Sequence, residues 1–333
     1  MAHTRETYAF KLRMAVSYYC NQHCQHCYVP ELNRDGYKEL LEQQQLSLPQ
    51  IDAFINYLIR EFGLDWITVS GGEPLLSNVW PRTQHVMQYA LRHGLTVQVN
   101  TSGSGQIDII DVIEASTPDL DRLIIQVSLD GIDGDQVDAF RGQRGAMKRA
   151  LTTIRHAVES GVFVRVRYTM TEHNYKDTVA CYEMVAAMGV RSFVTKPMFA
   201  AGSARDSREL LITAKVVQDV QRSLVVKSMG SDTQLDLAQP VYISRSDCPI
   251  GSNVNIIHCV CGRNAAYLSA NGDLYPCMYL VGAPSAENLI LGNIKEPDFD
   301  FRQIWAKQDT CSVFRNAKNQ ANCTAQNILT ASL

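Results

Sequence analysis

The sequence lacks the features of secreted, membrane-spanning and nucleic-acid-binding proteins. Its first residues, MAHTRETYAF, contain no apolar segment of the kind that secretory signals carry. No run of about 18 apolar residues occurs that would form a transmembrane helix. The net charge is only −3, so no excess of positive charge is present to attract nucleic acid or an acidic membrane surface. We therefore expect a cytoplasmic protein that binds neither nucleic acid nor membrane.

The ten cysteines are the most informative residues that are present. Disulfides are rare in the cytosol, so closely spaced cysteines there predict metal ligands or reactive thiols. Cys20, Cys24 and Cys27 form one group, and a second group lies within residues 248–323. Cys181 stands alone in an apolar helical pattern, which is typical of a small residue in the core.

Residues 12–200 alternate between short Val- and Ile-rich segments and helical patterns, which predicts an α/β protein. The predicted strands are Leu12–Ser17, Trp66–Ser70, Thr96–Asn100, Leu123–Leu129, Phe163–Thr169 and Ser192–Thr195. The predicted helices include Leu48–Phe62, Arg82–His93, Ala146–Ser160 and Tyr175–Met188. Six strand–helix units in series imply a parallel sheet with right-handed crossovers, which we interpret as a partial (βα)6 TIM-like barrel. Its ligand site is expected at the carboxyl ends of the strands.

We divide the 333-residue chain into three parts. Residues 1–200 form the partial barrel, and residues 201–247 form a connector with a helix at Ile212–Ser228 followed by a loop, MGSDTQLDLAQP. Residues 248–333 form a small cysteine-bearing domain. It contains a β-hairpin, because Asn271–Gly272 is a strong turn signal between two alternating segments.

The first cysteine group has the spacing C-x3-C-x2-C and directly follows the first predicted strand. Three thiolates can hold three irons of a [4Fe–4S] cluster, which leaves the fourth iron open to a small molecule. A zinc site is the alternative, and it would take His23 or His26 as a fourth ligand. The spacing favours the cluster.

A second motif, Ser70-Gly71-Gly72-Glu73-Pro74, ends the second predicted strand. Paired glycines allow positive φ and close approach of the backbone, and the Glu73 carboxylate is an acceptor suited to an ammonium group. For this motif taken alone, a plain strand-to-helix turn is the less favoured alternative. Together, the two motifs make residues 12–200 resemble the radical S-adenosylmethionine (SAM) superfamily. One departure is His26, which stands where that family often has an aromatic residue.

The resemblance implies a cofactor and a reaction. The amine and carboxylate of SAM would bind the open iron of a [4Fe–4S] cluster, with Gly71, Gly72 and Glu73 holding the amine. One electron from an external donor, such as flavodoxin or ferredoxin, would reach the cluster and cleave SAM to methionine and a 5′-deoxyadenosyl radical. That radical would remove a hydrogen atom from a substrate.

Three further residues resemble the ribose-side and carboxylate-side contacts of SAM in this family. Asn100 follows the third predicted strand, Ser128 ends the fourth, and Arg141 comes shortly after it. Asn and Ser also occur commonly as helix caps and turn formers. On the fifth strand, Arg165 and Arg167 either face a polar or anionic substrate or form one polar face of the strand.

The second cysteine group resembles the SPASM extension, which binds auxiliary iron–sulfur clusters. The matching pattern is a cysteine, then Gly262-Arg263, the hairpin glycine, a second cysteine, Gly292-Asn293-Ile294 and Trp305. The dense C-x2-C-x5-C-x3-C run of the full module is missing. We therefore predict the shorter, twitch-like version with one auxiliary [4Fe–4S] cluster. A zinc knuckle is the alternative.

The resemblance implies Cys259, Cys277 and Cys323 as ligands of the auxiliary cluster. The fourth ligand is Cys311, Cys261 or Cys248, or it is missing so that substrate binds there. A thiol left over near the cavity could donate a hydrogen atom to a substrate radical and make the reaction redox-neutral. Cys248, in SDCPIG, is our candidate for that donor, and cluster ligation and inert burial are its alternatives.

The predicted function is a radical SAM enzyme, of an oxidoreductase or epimerase type, that modifies a peptide or small natural product. The modification would be an epimerisation, an oxidation or a cross-link. A sugar or aminoglycoside-like substrate is the alternative within this class. Less favoured are the GTP-rearranging cyclase of molybdenum-cofactor synthesis and a non-catalytic zinc or electron-transfer protein.

Overall fold

The computed structural model describes residues 9–29, 43–283, 289–306, 323 and 325. Its strands are β1 Phe10–Ser17, β2 Leu64–Gly71, β3 Thr96–Thr101, β4 Leu123–Ser128, β5 Phe163–Met170, β6 Ser192–Pro197, β7 Gln234–Ala238, β8 Val254–Ile257, β9 Ala265–Leu268, β10 Asp273–Tyr275 and β11 Gly292–Asn293. Its α-helices are α1 Leu48–Phe62, α2 Trp80–Arg92, α3 Ile109–Glu114, α4 Gly134–Arg141, α5 Ala146–Glu159, α6 Thr178–Ala187, α7 Ala214–Lys227 and α8 Phe301–Ala306. No helix in these ranges combines the length and the apolar character that crossing a bilayer requires.

The strands form one sheet in the order β11–β10–β9–β1–β2–β3–β4–β5–β6–β7–β8. Strands β1 to β8 pair in parallel with their neighbours in chain order. The predicted partial barrel is confirmed in β1–β6 and the helices between them. Val97, Val99, Ile125 and Val164 have no exposed surface, as expected for parallel strands covered on both faces.

The boundaries of α1 are set by its own sequence. Ser47 accepts a hydrogen bond from the Gln50 backbone, and the Gln50 side chain accepts one from the Ser47 backbone, which forms a capping box. Gly63 ends the helix in the left-handed conformation at φ 62°. The helix therefore matches its predicted bounds.

The predicted loop after α7 is wrong, because it contains β7, and β8 follows beside it. Both strands are short, and Asp236 interrupts the apolar pattern of β7. Asp236 is fully buried and accepts hydrogen bonds from Ser192 at 2.6 Å and Asn255 at 2.8 Å. Arg165 lies 3.3 Å from the same carboxylate. These partners allow an acidic side chain to be buried within a strand. Because they lie far away in the sequence, the local pattern alone predicts a loop.

The predicted C-terminal hairpin is confirmed and joins the same sheet as the barrel. Strands β9 and β10 pair antiparallel around a turn in which Gly272 has φ 101°. Strand β9 pairs in parallel with β1, from Lys11 opposite Ala265 to Met14 opposite Leu268. This pairing brings the C-terminal cysteines alongside the strand that leads to Cys20.

Candidate active site

A cavity of about 620 Å³ lies at the carboxyl ends of the parallel strands. It is lined by most of the predicted site residues, namely Cys20, Cys24, Cys27, Gly71, Gly72, Glu73, Asn100, Ser128, Arg141, Cys259, Cys277 and Cys323, and by Cys261. The two cysteine groups therefore face one shared space. Cys311 lies outside the described residues.

Cys248 is not among the residues that line the cavity. Its thiol donates to the Ser244 carbonyl at 3.7 Å, and its side chain packs against the main hydrophobic core. The structure thus does not bring Cys248 together with the other predicted site residues.

The N-terminal cysteine loop is attached to the end of α4. The backbone NH of His23 donates to the Arg141 carbonyl at 3.0 Å, and the NH of Gln25 donates to the Phe140 carbonyl at 3.1 Å. Gly142 continues this contact, since a Cβ there would lie 2.9 Å from the His23 carbonyl oxygen. The α4 terminus thus fixes the loop that carries Cys24 in place.

The glycine pair allows the turn after β2 to lie directly against the backbone before Cys20. The NH of Gly72 donates to the Ser17 carbonyl at 2.8 Å, and the NH of Glu73 donates to the Tyr19 carbonyl at 2.6 Å. A Cβ on Gly71, which has φ 122°, would lie 2.1 Å from the Ser17 oxygen. Only glycine permits this approach, so the motif fixes the path of the chain into the first cysteine.

Glu73 is 2% exposed, and its carboxylate accepts four hydrogen bonds from the chain itself. One oxygen accepts from the Leu75 NH at 3.0 Å and the Thr101 hydroxyl at 2.7 Å. The other accepts from the NH and hydroxyl of Ser102, at 2.8 Å and 2.6 Å. Glu73 therefore ties the end of β3 to the end of β2. Sequence reasoning missed Thr101 and Ser102, although both stand beside Asn100.

Asn100 and Ser128 lie at the ends of β3 and β4 in the cavity wall. The Asn100 side-chain oxygen accepts a hydrogen bond from Gln98 at 2.7 Å, and Gln98 accepts one from Arg165 at 3.1 Å. Of the two arginines on β5, Arg165 thus belongs to a polar network between strands. Arg167 lines the cavity.

Arg141 is 4% exposed and forms a buried ion pair with Asp130, which is 3% exposed. Its second terminal nitrogen donates to the Gln22 side chain at 3.3 Å, whereas its buried Nε has no partner in the described part of the chain. The predicted contact to the SAM carboxylate is therefore also a structural residue that holds the cysteine loop.

His26, at the position that is often aromatic, lies flat on Phe140 with ring centroids 4.7 Å apart and planes 4° apart. Burial lowers the pKa of His26 to about 4, and this effect outweighs Asp130, which acts in the opposite direction. The imidazole is therefore neutral near pH 7 and packs as an aromatic ring does.

The N-terminal thiols fit an iron cluster in their chemistry. Burial raises the pKa of both Cys20 and Cys24 to about 12, so each thiol keeps its proton until a metal displaces it. Three thiols on one short loop, beside a glycine cradle that a Cβ would fill, match the donor set of a cubane with one open iron.

Of the C-terminal cysteines, Cys261, Cys277 and Cys323 are buried, and Cys261 lies beside a strand of the barrel. Cys261 forms hydrogen bonds with Cys259 and Cys277; the first lowers its pKa, but the second and burial raise it to about 12 overall. An Arg13 terminal nitrogen on β1 lies 3.7 Å from the Cys261 sulfur. Cys323, 6% exposed, lines the same cavity. Cys261 is thus placed beside two of the predicted ligands.

In the described ranges, no three His, Cys, Asp or Glu side chains converge as ligands of a single metal ion. The thiolates of a cubane bind separate irons and stand further apart than the ligands of one ion. The lack of a single-ion site among the described residues is therefore compatible with an iron–sulfur cluster at these cysteines.

Sequence reasoning named Arg167 as a residue that could face the substrate, but it missed Lys196, Phe199 and Tyr279, which complete a cationic and aromatic wall on the side of the cavity at β5 and β6. Lys196 is 6% exposed, and its Nζ lies 3.6 Å from the ring centroid of Phe199 and 3.7 Å from that of Tyr279. Arg167 donates to the Tyr279 hydroxyl at 3.3 Å. Burial, followed by the charge of Arg167, lowers the pKa of Lys196 well below its ordinary value.

Comparison with known protein families identifies the two domains that contain these site residues. Residues 14–195, more than half of the chain, match the family model described as the radical SAM superfamily. The chain belongs to the radical SAM superfamily. Residues 259–325 match the SPASM iron–sulfur cluster-binding domain. The cofactors are therefore a [4Fe–4S] cluster with SAM and an auxiliary iron–sulfur cluster, and the zinc alternatives are wrong.

The chain is similar to proteins with different named activities. The chain is 23% identical to a mycofactocin maturase of Mycolicibacterium smegmatis over 316 aligned residues. This alignment covers 94% of this chain and 74% of that protein. It is 30% identical to an Fe-coproporphyrin III synthase of Methanosarcina barkeri over 167 aligned residues. This alignment covers 50% of this chain and 38% of that protein. SuiB of Streptococcus suis, solved with its precursor peptide SuiA, has the same fold: the TM-score is 0.65 at 13% identity, over 97% of this chain and 70% of that one.

Proposed function

We propose that this radical SAM enzyme removes a hydrogen atom from a peptide and thereby starts its maturation by epimerisation, oxidation or cross-linking. The observation that carries the proposal is the single cavity that faces both cysteine groups. A substrate in this cavity would stand between the site of radical formation and an auxiliary cluster. Two similarities support the peptide: a mycofactocin maturase is a relative by sequence, and SuiB, which has the same fold, was solved with its precursor peptide SuiA.

Two sequence motifs would hold the radical-forming cluster and SAM. Cys20, Cys24 and Cys27 would hold the cluster that leaves one iron open. When bound, that cluster supplies the electron that cleaves SAM into methionine and a 5′-deoxyadenosyl radical. The backbone at Gly71 and Gly72 would receive the SAM amine, with Glu73 keeping this turn in place through its bonds to Thr101 and Ser102.

Further residues would hold SAM and the auxiliary cluster. Asn100, Ser128 and Arg141 would contact the ribose and carboxylate sides of SAM from the ends of β3, β4 and α4. Cys259, Cys277 and Cys323 would hold the auxiliary cluster, with Cys261 as the fourth ligand that the described residues offer in the cavity wall. An external flavodoxin or ferredoxin would supply electrons.

A tetrapyrrole is a second candidate substrate. The 30% identity to the Fe-coproporphyrin III synthase covers half of this chain, and an AdoMet-dependent heme synthase of Methanosarcina barkeri is 24% identical over 90% of it. The peptide is favoured because one cavity of about 620 Å³ must receive SAM as well as substrate, and a peptide can enter it with a single side chain or chain end.

The test is Cys20→Ala with Cys181→Ala as the matched control. Cys181 is a fully buried cysteine on α6, and it does not line the cavity. After anaerobic reconstitution, Cys20→Ala should lose about four irons and all formation of 5′-deoxyadenosine from SAM and dithionite. Cys181→Ala should keep both. Substrate is then sought by incubating the wild-type enzyme with precursor-like peptides and measuring changes in mass. Wild-type protein that binds iron but makes no 5′-deoxyadenosine would refute the proposal.

A further inference from the structure

Two cations in the cavity wall have no anionic side chain to neutralise them. Within the described residues, no carboxylate lies at ion-pair distance from Arg167 or Lys196. Arg141 and Arg165 differ in this respect, because Arg141 pairs with Asp130 and Arg165 with Asp236. A buried positive charge without a counter-ion is costly, and Lys196 is buried while Arg167 is half-buried. The pair is therefore either unfavourable for folding or a site for an anionic ligand.

The described residues around Lys196 disfavour its charged form, in agreement with its lowered pKa, and they offer the N–H donors of its ammonium group no acceptor. An ammonium group has three N–H donors, while the faces of Phe199 and Tyr279 attract its charge but offer no lone pair. No hydrogen bond to the Lys196 Nζ is formed by the part of the chain that the structure describes. The donors that remain face the cavity that this residue lines.

The position of the two cations separates them from groups that already have a role. Arg13 has an anionic neighbour once the auxiliary cluster forms, because its guanidinium lies 3.7 Å from the Cys261 sulfur. Tyr279, which contacts both cations, comes two residues after Cys277, and its ring centroid lies 6.0 Å from that of Tyr28, the neighbour of Cys27. The pair therefore stands between the two cysteine groups, where a substrate would lie.

Resting on the proposed function, we infer that Arg167 and Lys196 form a carboxylate-binding site that orients an anionic substrate between the two clusters. Tyr279 contributes by holding both cations, through its hydroxyl to Arg167 and its ring to Lys196. The carboxylate could come from a peptide or from the propionates of a tetrapyrrole, and the cavity size favours the peptide. Specificity would arise because a neutral analogue leaves the charges of the buried Lys196 and the half-buried Arg167 unpaired.

The site can be tested without knowing the substrate, using glutarate as the probe and glutaramide as its neutral counterpart. Thermal unfolding of the reconstituted holoenzyme is measured anaerobically with saturating SAM and constant ionic strength. Glutarate should raise the unfolding temperature of the wild-type protein with increasing concentration, since a ligand that binds only the folded state stabilises it. Glutaramide and added sodium chloride should not.

The variants identify the residues responsible. Lys196→Met and Arg167→Gln should each raise the glutarate concentration needed for the same shift by about tenfold or more, the worth of one charge-assisted hydrogen bond. Lys196→Arg, which keeps the charge, should restore most of the response. Lys215→Met is the matched control, because Lys215 is an exposed lysine that pairs only with Asp219. It should respond as the wild type does.

Three results would overturn the inference. They are an equal response to glutaramide, an unchanged response in Lys196→Met, and a response to glutarate that occurs without SAM but is absent when SAM is saturating. The last would assign the anion to the SAM site. A pool of short acidic peptides and coproporphyrin III are then compared for the concentration that gives the same shift. Stabilisation by the tetrapyrrole alone would keep the carboxylate site and refute the peptide. A wild-type response to glutarate without 5′-deoxyadenosine formation would keep the site and refute the proposed function.

Discussion

Replacing Gly72 with alanine should disable the enzyme while leaving the fold largely intact. A Cβ at this position would lie 1.8 Å from the Tyr19 carbonyl oxygen, 2.4 Å from the Tyr19 carbonyl carbon and 2.7 Å from the Tyr18 oxygen. Real Cβ atoms essentially never approach closer than 3.0 Å. The backbone before Cys20 would therefore have to retreat by more than an ångström.

The magnitude follows from what has to move. The colliding atoms belong to the main chain, so no side-chain rotation relieves the contact, and the hydrogen bond from the Glu73 NH to Tyr19 is lost as well. Forced overpacking of this kind costs about 1–3 kcal/mol of the free energy of unfolding. Because misplacement by about 1 Å can cost 10²-fold in rate, we expect 5′-deoxyadenosine formation to fall by about two orders of magnitude.

The assay is anaerobic 5′-deoxyadenosine formation with dithionite, normalised to iron content, together with the unfolding temperature. Gly134→Ala is the matched control, because Gly134 is a glycine at the start of α4 whose added Cβ would meet no atom within 4 Å. It should be unchanged in both measurements. If Gly72→Ala cleaves SAM at the wild-type rate with full iron content, the turn does not fix Cys20 and the structural reasoning fails.

Two further predictions concern residues near or outside the cavity. Arg141→Met should lower the free energy of unfolding by about 3 kcal/mol, because it leaves the buried Asp130 carboxylate without its cation; denaturant unfolding measures this, and Arg302→Met, which breaks the exposed pair with Glu61, should cost less than about 1 kcal/mol. Cys248→Ala should keep iron content, SAM cleavage and product unchanged, given the placement of this thiol against Ser244. Loss of product with iron retained would support the hydrogen-atom-donor hypothesis instead, and loss of about four irons would make Cys248 a ligand.

The sequence predicted the barrel well because its signals are local. Strands β1–β6 are short segments rich in Val and Ile, and helices alternate with them along the chain. Helix α1 carries its own start and stop in Ser47 and Gly63. The two SAM-related motifs were found because their spacing is fixed within a few residues.

The missed features depend on contacts between residues far apart in the chain. Strand β7 looks polar until Asp236 is seen to accept hydrogen bonds from Ser192 and Asn255. Lys196 is a single lysine in VTKPMF, and nothing local indicates that Phe199 and Tyr279 enclose it. Tertiary packing overrides local pattern in both cases.

The pairing of β9 with β1 accounts for how one cavity serves two cysteine groups. β1 is bounded on one side by β2, whose carboxyl end supplies Gly71 and Gly72, and on the other by β9, which follows Cys259 and Cys261. Arg13, in the middle of β1, contacts Cys261, while the end of the same strand leads to Cys20. Because this one strand is hydrogen-bonded to both neighbours, the distance between the two cysteine groups is set by sheet geometry. An auxiliary cluster fixed in this way would stay in register with the SAM site whichever substrate enters between them.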